Sequence, residues 1–245
     1  MKTVGILGGL GPLAGAHFYR RVIDMTPAAG DREHIPVILI SDPAIPSRVE
    51  HLSGTGESPV PKLVEVARKL IGAGASLLAI PSSTTSIYEK TIAEQIDVPI
   101  VSMIDEVTAA ISRSRCSRIG VMGTTPTRMF HVYDEAFERA GIRAVYPDEE
   151  TQSAMMDVIS TVKEATAVNN HPQEGDVNVM TLLGRRTVEL AERPWSRGVD
   201  GILLACTELP VIFPIPEYAA STTFSGELFN STDILAAAVV REAYE

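Results

Sequence analysis

The sequence has little cysteine: its 245 residues include only two, Cys116 and Cys206. Two thiols cannot build the disulfide framework of a small secreted domain, and these two lack the spacing of metal ligands. The five histidines show neither an H-x-x-x-H spacing nor the context of a Ser-His-Asp triad, so metal-dependent and triad chemistry have little support. We therefore expect a reducing, cytoplasmic location and no metal site.

The sequence also lacks an excess of positive charge and any long apolar run. Its net charge of −10 and its pI near 5.0 argue against a nucleic-acid surface. No apolar stretch approaches the roughly 18 residues of a membrane span, and residues 1–7 predict a first strand instead of a signal peptide. We expect no nucleic-acid or membrane partner. A small acidic ligand is still compatible with this charge, because one buried Arg or Lys can outweigh a distant negative surface.

Short runs of Val, Ile and Leu alternate with helix-like segments along the chain. Near-continuous apolar runs of this length are typical of buried parallel strands, and their alternation with helices predicts an α/β fold. The predicted strands cover residues 4–7, 37–40, 77–80, 100–103, 119–122 and 201–204. The predicted helices cover residues 14–25, 61–71, 86–95, 104–111, 127–140, about 176–193 and 232–244.

The chain repeats one pattern twice. Gly5-Ile6-Leu7-Gly8-Gly9 and Gly120-Val121-Met122-Gly123-Thr124 both run from a strand into a glycine turn. Later in each half a glycine precedes an apolar strand with a polar end, which places Ser82 and Cys206 at equivalent strand ends. Because ligands of open α/β sheets lie beyond the carboxyl ends of the strands, we expect both residues to face a cleft between the halves.

This repeat predicts two pseudo-symmetric, three-layer α/β domains with parallel sheets and an active site in the cleft between the domains. The expected first domain is residues 1–113 with 216–245, including a returning C-terminal helix. The expected second domain is residues 114–215.

The glycine turn at residues 8–15 and the loop after the second predicted strand are candidate anion sites. The turn does not match G-x-G-x-x-G, and Pro12 removes an N–H donor, so we favour binding of a carboxylate over binding of a dinucleotide. Arg48 follows a loop stiffened by Pro43 and Pro46 and offers a bidentate fork for a carboxylate. An ordinary surface arginine is the alternative.

Two polar strand ends carry the remaining candidates. The serine-rich segment after Pro81 could cap a helix, bind a carboxylate, or do both. Cys206 could be a buried apolar filler, but its place beside Thr207 and Glu208 favours catalysis by its thiolate. Cys116 lies at the foot of a predicted strand and is interpreted as structural.

Five segments spread over nearly the whole chain resemble the cofactor-independent aspartate/glutamate racemase family. They are Gly5-Ile6-Leu7-Gly8-Gly9-Leu10-Gly11-Pro12-Leu13-Ala14, Asp42-Pro43-x-Ile45-Pro46-x-Arg48, Gly120-Val121-Met122-Gly123-Thr124, Cys206-Thr207-Glu208-Leu209 and Ser231-Thr232-Asp233-Ile234-Leu235-Ala236. The resemblance implies a homodimer without cofactors, in which two cysteines act on opposite faces of the substrate's α-carbon.

The resemblance also assigns roles to single residues. Arg48 is similar to the arginine that binds the side-chain carboxylate, and Lys163 to the lysine that assists it. Glu208 matches the residue that supports the second cysteine. Thr124 and Thr127 match hydroxyls of the second half. We further expect the substrate to contact a set of residues from both halves, namely Leu10, Ser82, Ser83, Thr84, Thr124 and Thr207.

The chain departs from the family at the first catalytic motif. It has Pro81-Ser82-Ser83-Thr84 where the family has Pro-Cys-Asn-Thr. A serine hydroxyl is a far weaker acid than a thiol, whose reference pKa is about 8.5, and without an activating base it transfers protons poorly. Family members that lack this cysteine act preferentially on L-aspartate or L-glutamate, so the resemblance implies a preference for the L enantiomer.

The resulting hypothesis is a racemase of aspartate or glutamate, with Cys206 as base, Glu208 as its support and Ser82 on the opposite face. Ser82, Ser83 and Thr84 would bind the α-carboxylate, and Arg48 and Lys163 would hold the distal carboxylate. A single-cysteine decarboxylase of arylmalonate type, a maleate isomerase and an inactive protein that binds acidic amino acids are the alternatives.

Overall fold

The computed structural model describes residues 1–167, 179–213, 224 and 226–245. The expected start of a helix near residue 176 and the expected domain boundary at 215/216 lie outside these residues. The chain divides into two compact units, Met1–Val107 with Thr232–Glu245 and Thr108–Ser231. The sequence analysis placed the first of these boundaries at 113/114.

The first unit contains a four-stranded parallel sheet. Its strands are β1 (Val4–Gly8), β2 (Val37–Ser41), β3 (Leu77–Ala79) and β4 (Ile100–Val101), in the order β2-β1-β3-β4. Its helices are α1 (Pro12–Met25), α2 (Arg48–Leu52), α3 (Val60–Gly72), α4 (Glu89–Ala93), the first half of α5 (Met103–Ser112) and nearly all of α11 (Ser231–Tyr244).

The second unit contains a parallel sheet of the same size. Its strands are β5 (Arg118–Met122), β6 (Arg143–Val145), β7 (Gly201–Leu204) and β8 (Glu227–Asn230), in the order β6-β5-β7-β8. Its helices are α6 (Thr125–Met129), α7 (Asp134–Arg139), α8 (Glu149–Ala167), α9 (Val179–Ala191) and α10 (Leu209–Ile212).

The two sheets have the same strand order and the same register. Val4 of β1 pairs with Leu77 of β3, as Ile119 of β5 pairs with Gly201 of β7. Counted from these pairs, the polar residues after β3 and β7 lie at the same distance along the chain, so Ser82 and Cys206 occupy equivalent strand ends. The predicted α/β class with parallel sheets is confirmed.

Several predicted elements differ in detail from the structure. The single helix expected over residues 127–140 is two helices, α6 and α7, separated at His131, whose φ of 50° interrupts helical hydrogen bonding. The helix expected over residues 86–95 begins as a 3₁₀ turn, Ser83–Tyr88, and continues as α4. The strand expected over residues 100–103 is only two residues long, because α5 already begins at Met103.

Five of these strands and helices had no prediction: the strands β6 and β8 and the helices α2, α8 and α10. β6 is three residues long and begins with an exposed arginine, while β8 is only partly apolar, so neither has the near-continuous apolar run expected of a buried parallel strand. Helix α8 contains several Thr and Ser residues and β-branched side chains, which weaken the helical signal in its sequence.

Helix α11 is held to the first unit by ion pairs at both ends. Near its start Asp233 accepts from Arg21 of α1 at 2.6 Å, and near its end Arg241 reaches Glu106 of α5 at 2.7 Å. The backbone N–H of Lys2 also donates to the Ala243 carbonyl at 2.7 Å. Leu235, Ala236 and Val239 of the helix are buried, so apolar packing accompanies these polar contacts.

The turn after β1 requires glycine at a close approach of two strands. Gly9 has φ of 88°, and a Cβ at this position would overlap the backbone of Asp42, which follows β2. Gly11, just before α1, has φ of 134°. L side chains rarely adopt these conformations, so the glycines allow the backbone of the turn to pass beside the end of β2.

We predict that Gly9→Ala destabilises the protein by about 1–3 kcal/mol, because it adds both backbone strain and a steric overlap. Gly72→Ala is the matched control: this exposed glycine ends α3, has open space around its Cβ position, and should be neutral or stabilising by up to about 1 kcal/mol. Urea denaturation of both variants measures the difference. Equal free energies of unfolding would contradict the role assigned to Gly9.

Candidate active site

The first group of predicted residues lies at the carboxyl ends of β1, β2 and β3. Arg48 opens α2 after β2, and Ser47 caps this helix by accepting from the Glu50 N–H at 3.3 Å. The Arg48 guanidinium donates to the Leu10 carbonyl in the glycine turn at 3.1 Å. Arg48 is therefore hydrogen-bonded to the strand-end turn and partly buried. This differs from the alternative interpretation, an ordinary surface arginine.

The serine-rich segment follows β3 at the same edge of the sheet. Ser82 and Ser83 are buried and Thr84 is partly buried. Thr85 Oγ1 donates to Ser82 Oγ at 2.8 Å, and Ser83 Oγ lies 3.2 Å from Met103 Sδ. Ser82 precedes the 3₁₀ turn but makes no side-chain capping bond, so its hydroxyl hydrogen can be donated to a ligand.

Ser82 has no activating base in the part of the chain that the structure describes, since no histidine or carboxylate there hydrogen-bonds to it. Its hydroxyl partner is another hydroxyl, that of Thr85. This arrangement suits a group that binds and orients a substrate, because an unactivated serine does not exchange protons readily at neutral pH.

The second group lies in the other unit, after β7. Cys206, Thr207 and Glu208 are all buried, with exposures of 4–5%. The Cys206 thiol donates to Glu208 Oε2 at 3.0 Å, and Lys163 Nζ of α8 lies 3.6 Å from Glu208 Oε1. Oε1 accepts no hydrogen bond from the residues described, so the buried carboxylate has a free acceptor atom facing a cation.

These neighbours determine the protonation of Cys206. Burial, followed by the negative charge of Glu208, raises the pKa of the thiol well above its ordinary value, and the positive charge of Lys163 opposes this rise. The sequence analysis expected a thiolate at this position. In the structure the raised pKa favours the neutral thiol, which donates its hydrogen to the Glu208 carboxylate.

Thr124 and Thr127 lie at the end of β5. Thr124 Oγ1 accepts from the Thr127 N–H at 3.3 Å and is 3.0 Å from Thr127 Oγ1, so Thr124 caps α6. A Cβ on Gly123 would come within 3.2 Å of Thr127 and 3.4 Å of Ala205. Gly123 therefore allows α6 to pack closely against the residue that precedes Cys206.

Gln152 is a buried residue at this strand end that the sequence analysis missed. Its amide Nε2 donates to the Gly123 carbonyl at 3.0 Å, and Met156, one turn later, receives the Thr125 N–H at 3.2 Å. Helical spacing places both on the same side of α8 as Lys163. The position of this glutamine next to the apolar face of α8 could have indicated a buried polar residue. That position is recognisable only if α8 is first predicted to be a helix.

The predicted site residues therefore form two clusters. The first strand-end cluster contains Leu10, Arg48, Ser82, Ser83 and Thr84, and the second contains Thr124, Lys163, Cys206, Thr207 and Glu208.

Within the described ranges, no group of three or more His, Cys, Asp or Glu side chains could hold a metal ion. Over the same residues, no helix is both long enough and apolar enough to cross a bilayer.

We predict that Glu208→Gln shifts the ionisation of Cys206 to lower pH, because it removes the negative charge that disfavours the thiolate. The ultraviolet absorbance of the thiolate, followed against pH in a Cys116→Ser background, measures the shift. Glu164→Gln, which changes an exposed carboxylate next to Lys163, is the control and should leave the titration unchanged. The same titration curve in Glu208→Gln and the parent protein would contradict the assigned coupling.

The sequence profile of the family described as Asp/Glu/Hydantoin racemase matches residues 7–239. The chain is similar to the broad specificity amino-acid racemase RacX of Bacillus subtilis (strain 168), with 24% identity over 216 residues covering 85% of this chain and 86% of the relative. It is also similar to the glutamate racemase of Mycobacterium leprae (strain TN), with 28% identity over 208 residues covering 79% and 68% of the two chains.

Among solved structures, the aspartate racemase of Picrophilus torridus has a TM-score of 0.82 and 28% identity to this chain, and the match covers 100% of this chain and 95% of that one. The resemblance inferred from the sequence is confirmed, as is the expectation of an isomerase, because racemases are isomerases. The chain belongs to the Asp/Glu/hydantoin racemase family.

Proposed function

We propose that this racemase interconverts the enantiomers of aspartate or glutamate without a cofactor and exchanges the α-proton of the L enantiomer faster. One observation carries the proposal: of two equivalent strand ends, one bears the Cys206–Glu208 pair and the other bears Ser82. The similarity to an aspartate racemase, a glutamate racemase and a broad specificity amino-acid racemase supports the substrate class.

The proposed chemistry begins with proton transfer from the Cys206 thiol to the Glu208 carboxylate. The thiolate then removes the α-proton of the L enantiomer, and the electron pair of the C–H bond remains on the α-carbon, delocalised into the α-carboxylate. Ser82, or a water molecule that it orders, supplies a proton to the opposite face. The proton held by Glu208 returns through solvent to the group that protonated the carbanion, so the net charge is conserved.

Electrostatics at the second strand-end cluster supports the first step. Proton transfer from Cys206 to Glu208 separates no new charge, because the negative charge only moves from a carboxylate to a sulfur beside it. The positive charge of Lys163 favours the thiolate, because it opposes the rise in the pKa of Cys206. A bound substrate would bring further charge and exclude water, which strengthens these interactions.

We assign substrate binding to residues of each cluster. The hydroxyls of Ser82, Ser83 and Thr84 and the turn at Leu10 would hold the α-carboxylate. Thr124 and Thr207 are assigned to further polar contacts. Arg48 and Lys163 would hold the distal carboxylate, which is consistent with the partial burial of Arg48 and with the 45% exposure of the Lys163 side chain.

A cytoplasmic homodimer is also part of the proposal. Cys116 and Cys206 are both free thiols, which is consistent with a reducing compartment. Light scattering during size-exclusion chromatography measures the oligomeric state directly.

We predict that, in deuterium oxide, L-aspartate or L-glutamate exchanges its α-proton faster than the D enantiomer. The physical reason is that the thiol–carboxylate pair is a more competent base than an unactivated serine. Proton NMR of each pure enantiomer measures the initial exchange rates. Faster exchange of the D enantiomer would contradict the assignment of Cys206 to the L face, and binding without exchange would favour the inactive binding protein.

Paired cysteine variants provide the control for this experiment. Cys206→Ala should lower exchange of both enantiomers by at least about a hundredfold, whereas Cys116→Ala should leave it unchanged. Cys116 lies at the start of β5, where its thiol is 3.4 Å from the Asp200 carbonyl. Retention of α-proton exchange in Cys206→Ala would show that the Cys206 thiol is not the base.

We predict that Ser82→Cys raises α-proton exchange of the D enantiomer by about tenfold or more, because a thiol is a far stronger acid than a hydroxyl. Ser76→Cys places a new thiol before β3, at the opposite end of the strand, and should have no such effect. The ratio of D to L exchange rates in deuterium oxide is the measured quantity. An unchanged ratio in Ser82→Cys would show that Ser82 does not face the α-carbon.

A further inference from the structure

Tyr88 is a buried tyrosine whose hydroxyl has no hydrogen-bond partner in the part of the chain that the structure describes. It ends the 3₁₀ turn Ser83–Tyr88, which follows Ser82 directly, and it is 7% exposed. A buried hydroxyl without a partner costs free energy, so such groups normally meet a water molecule or a ligand. No role for Tyr88 follows from the sequence or from the mechanism above.

Tyr88 lies near two elements that also position Arg48, the helix α2 and the turn at Leu10. The Tyr88 ring lies 5.8 Å from the ring of His51, which is one turn after Arg48 on α2. Tyr88 also belongs to the buried cluster that contains Leu10 and Ile45, and the Leu10 carbonyl accepts the hydrogen bond of Arg48. The side chain thus packs against the helix that begins with the arginine and shares a buried cluster with the strand-end turn.

The charge of Arg48 acts on the phenol directly. Burial raises the pKa of Tyr88, and the nearby guanidinium partly opposes this rise. The hydroxyl is therefore neutral at physiological pH and keeps a hydrogen to donate. A neutral donor beside a fixed cation suits an anion with two acceptor atoms, because a planar carboxylate can accept from both groups together.

We propose that the Tyr88 hydroxyl donates a hydrogen bond to the carboxylate that Arg48 binds, and so helps to select dicarboxylic over monocarboxylic ligands. This inference rests on the proposed function in one respect, namely that Arg48 binds the distal carboxylate of the substrate. Tyr88 is assigned to binding and takes no part in proton transfer.

The experiment replaces only the hydroxyl, with Tyr88→Phe, because phenylalanine keeps the ring packing against His51. Two measurements are made: the KM and kcat of α-proton exchange, and the Kd of succinate, a dicarboxylate without an amino group, by calorimetry. We expect the KM and the succinate Kd to rise about tenfold, with little change in kcat, as for loss of a hydrogen bond to a charged group. Propionate, which lacks the second carboxylate, should bind equally to both proteins.

Thermal unfolding without ligand separates this role from a structural one. Removal of an unpartnered hydroxyl should leave the melting temperature unchanged or raise it. Tyr133→Phe is the matched control, since Tyr133 is fully buried in the other unit with its ring 5.4 Å from that of Phe137. This control should leave KM and the succinate Kd unchanged. An unchanged KM and succinate Kd in Tyr88→Phe would overturn the inference, as would weakened propionate binding or a lowered melting temperature with a loss of kcat.

An Arg48→Lys background tests whether the two residues share one carboxylate. If they do, the effect of Tyr88→Phe on the succinate Kd should differ between the two backgrounds, because contacts with a shared partner are not additive. An equal change in the succinate Kd in both backgrounds would overturn the proposal that Tyr88 and Arg48 bind the same carboxylate.

Failure of the proposed function has a different signature from failure of this inference. If the unaltered protein exchanges the α-proton of neither aspartate nor glutamate, the proposed function fails. A Tyr88-dependent Kd for succinate would still support the binding role, whereas absence of succinate binding by the unaltered protein would overturn it.

Discussion

Parallel strand pairing is the constraint on which the rest of the structure depends. In a parallel sheet the carboxyl ends of all strands lie at one edge, so residues far apart in the sequence are brought together there. In the first unit this places the turn at Leu10, the helix that begins with Arg48, and Ser82 at the same edge. The same strand order and register in the second unit place Cys206 at the position equivalent to Ser82.

The two equivalent positions differ in chemistry because their neighbours differ. Cys206 lies beside a buried carboxylate that can accept its proton, and Lys163 lies on the far side of that carboxylate. Ser82 receives a hydrogen bond from Thr85 and has no base among the described residues. The two equivalent strand ends therefore have different polar surroundings, with no change in the backbone fold.

Each unit has a buried polar atom near its strand ends that lacks a hydrogen-bond partner among the described residues. The Tyr88 hydroxyl in the first unit and Glu208 Oε1 in the second are both buried acceptors or donors without a hydrogen bond from the described residues. Folding leaves such atoms unpaired only at a cost in free energy, which a ligand or a water molecule can offset. Glu208 Oε1 lies 3.6 Å from Lys163 Nζ, and the positive charge of Arg48 partly opposes the rise in the pKa of Tyr88.

The sequence by itself determined the α/β class, the internal repeat and the family, because apolar periodicity and strand-end motifs are local signals. It also showed that Ser82 and Cys206 occupy equivalent positions in the two halves of the repeat. It also identified Cys206, Glu208 and Lys163 as residues of interest. It did not reveal that burial and the Glu208 carboxylate raise the pKa of the Cys206 thiol, because burial and the distance to a carboxylate depend on packing. Nor could it find Gln152 or Tyr88, whose significance lies in contacts between segments. Only the tertiary structure decided which polar atoms are satisfied and which are not, since that property belongs to the folded neighbourhood and not to the residue type.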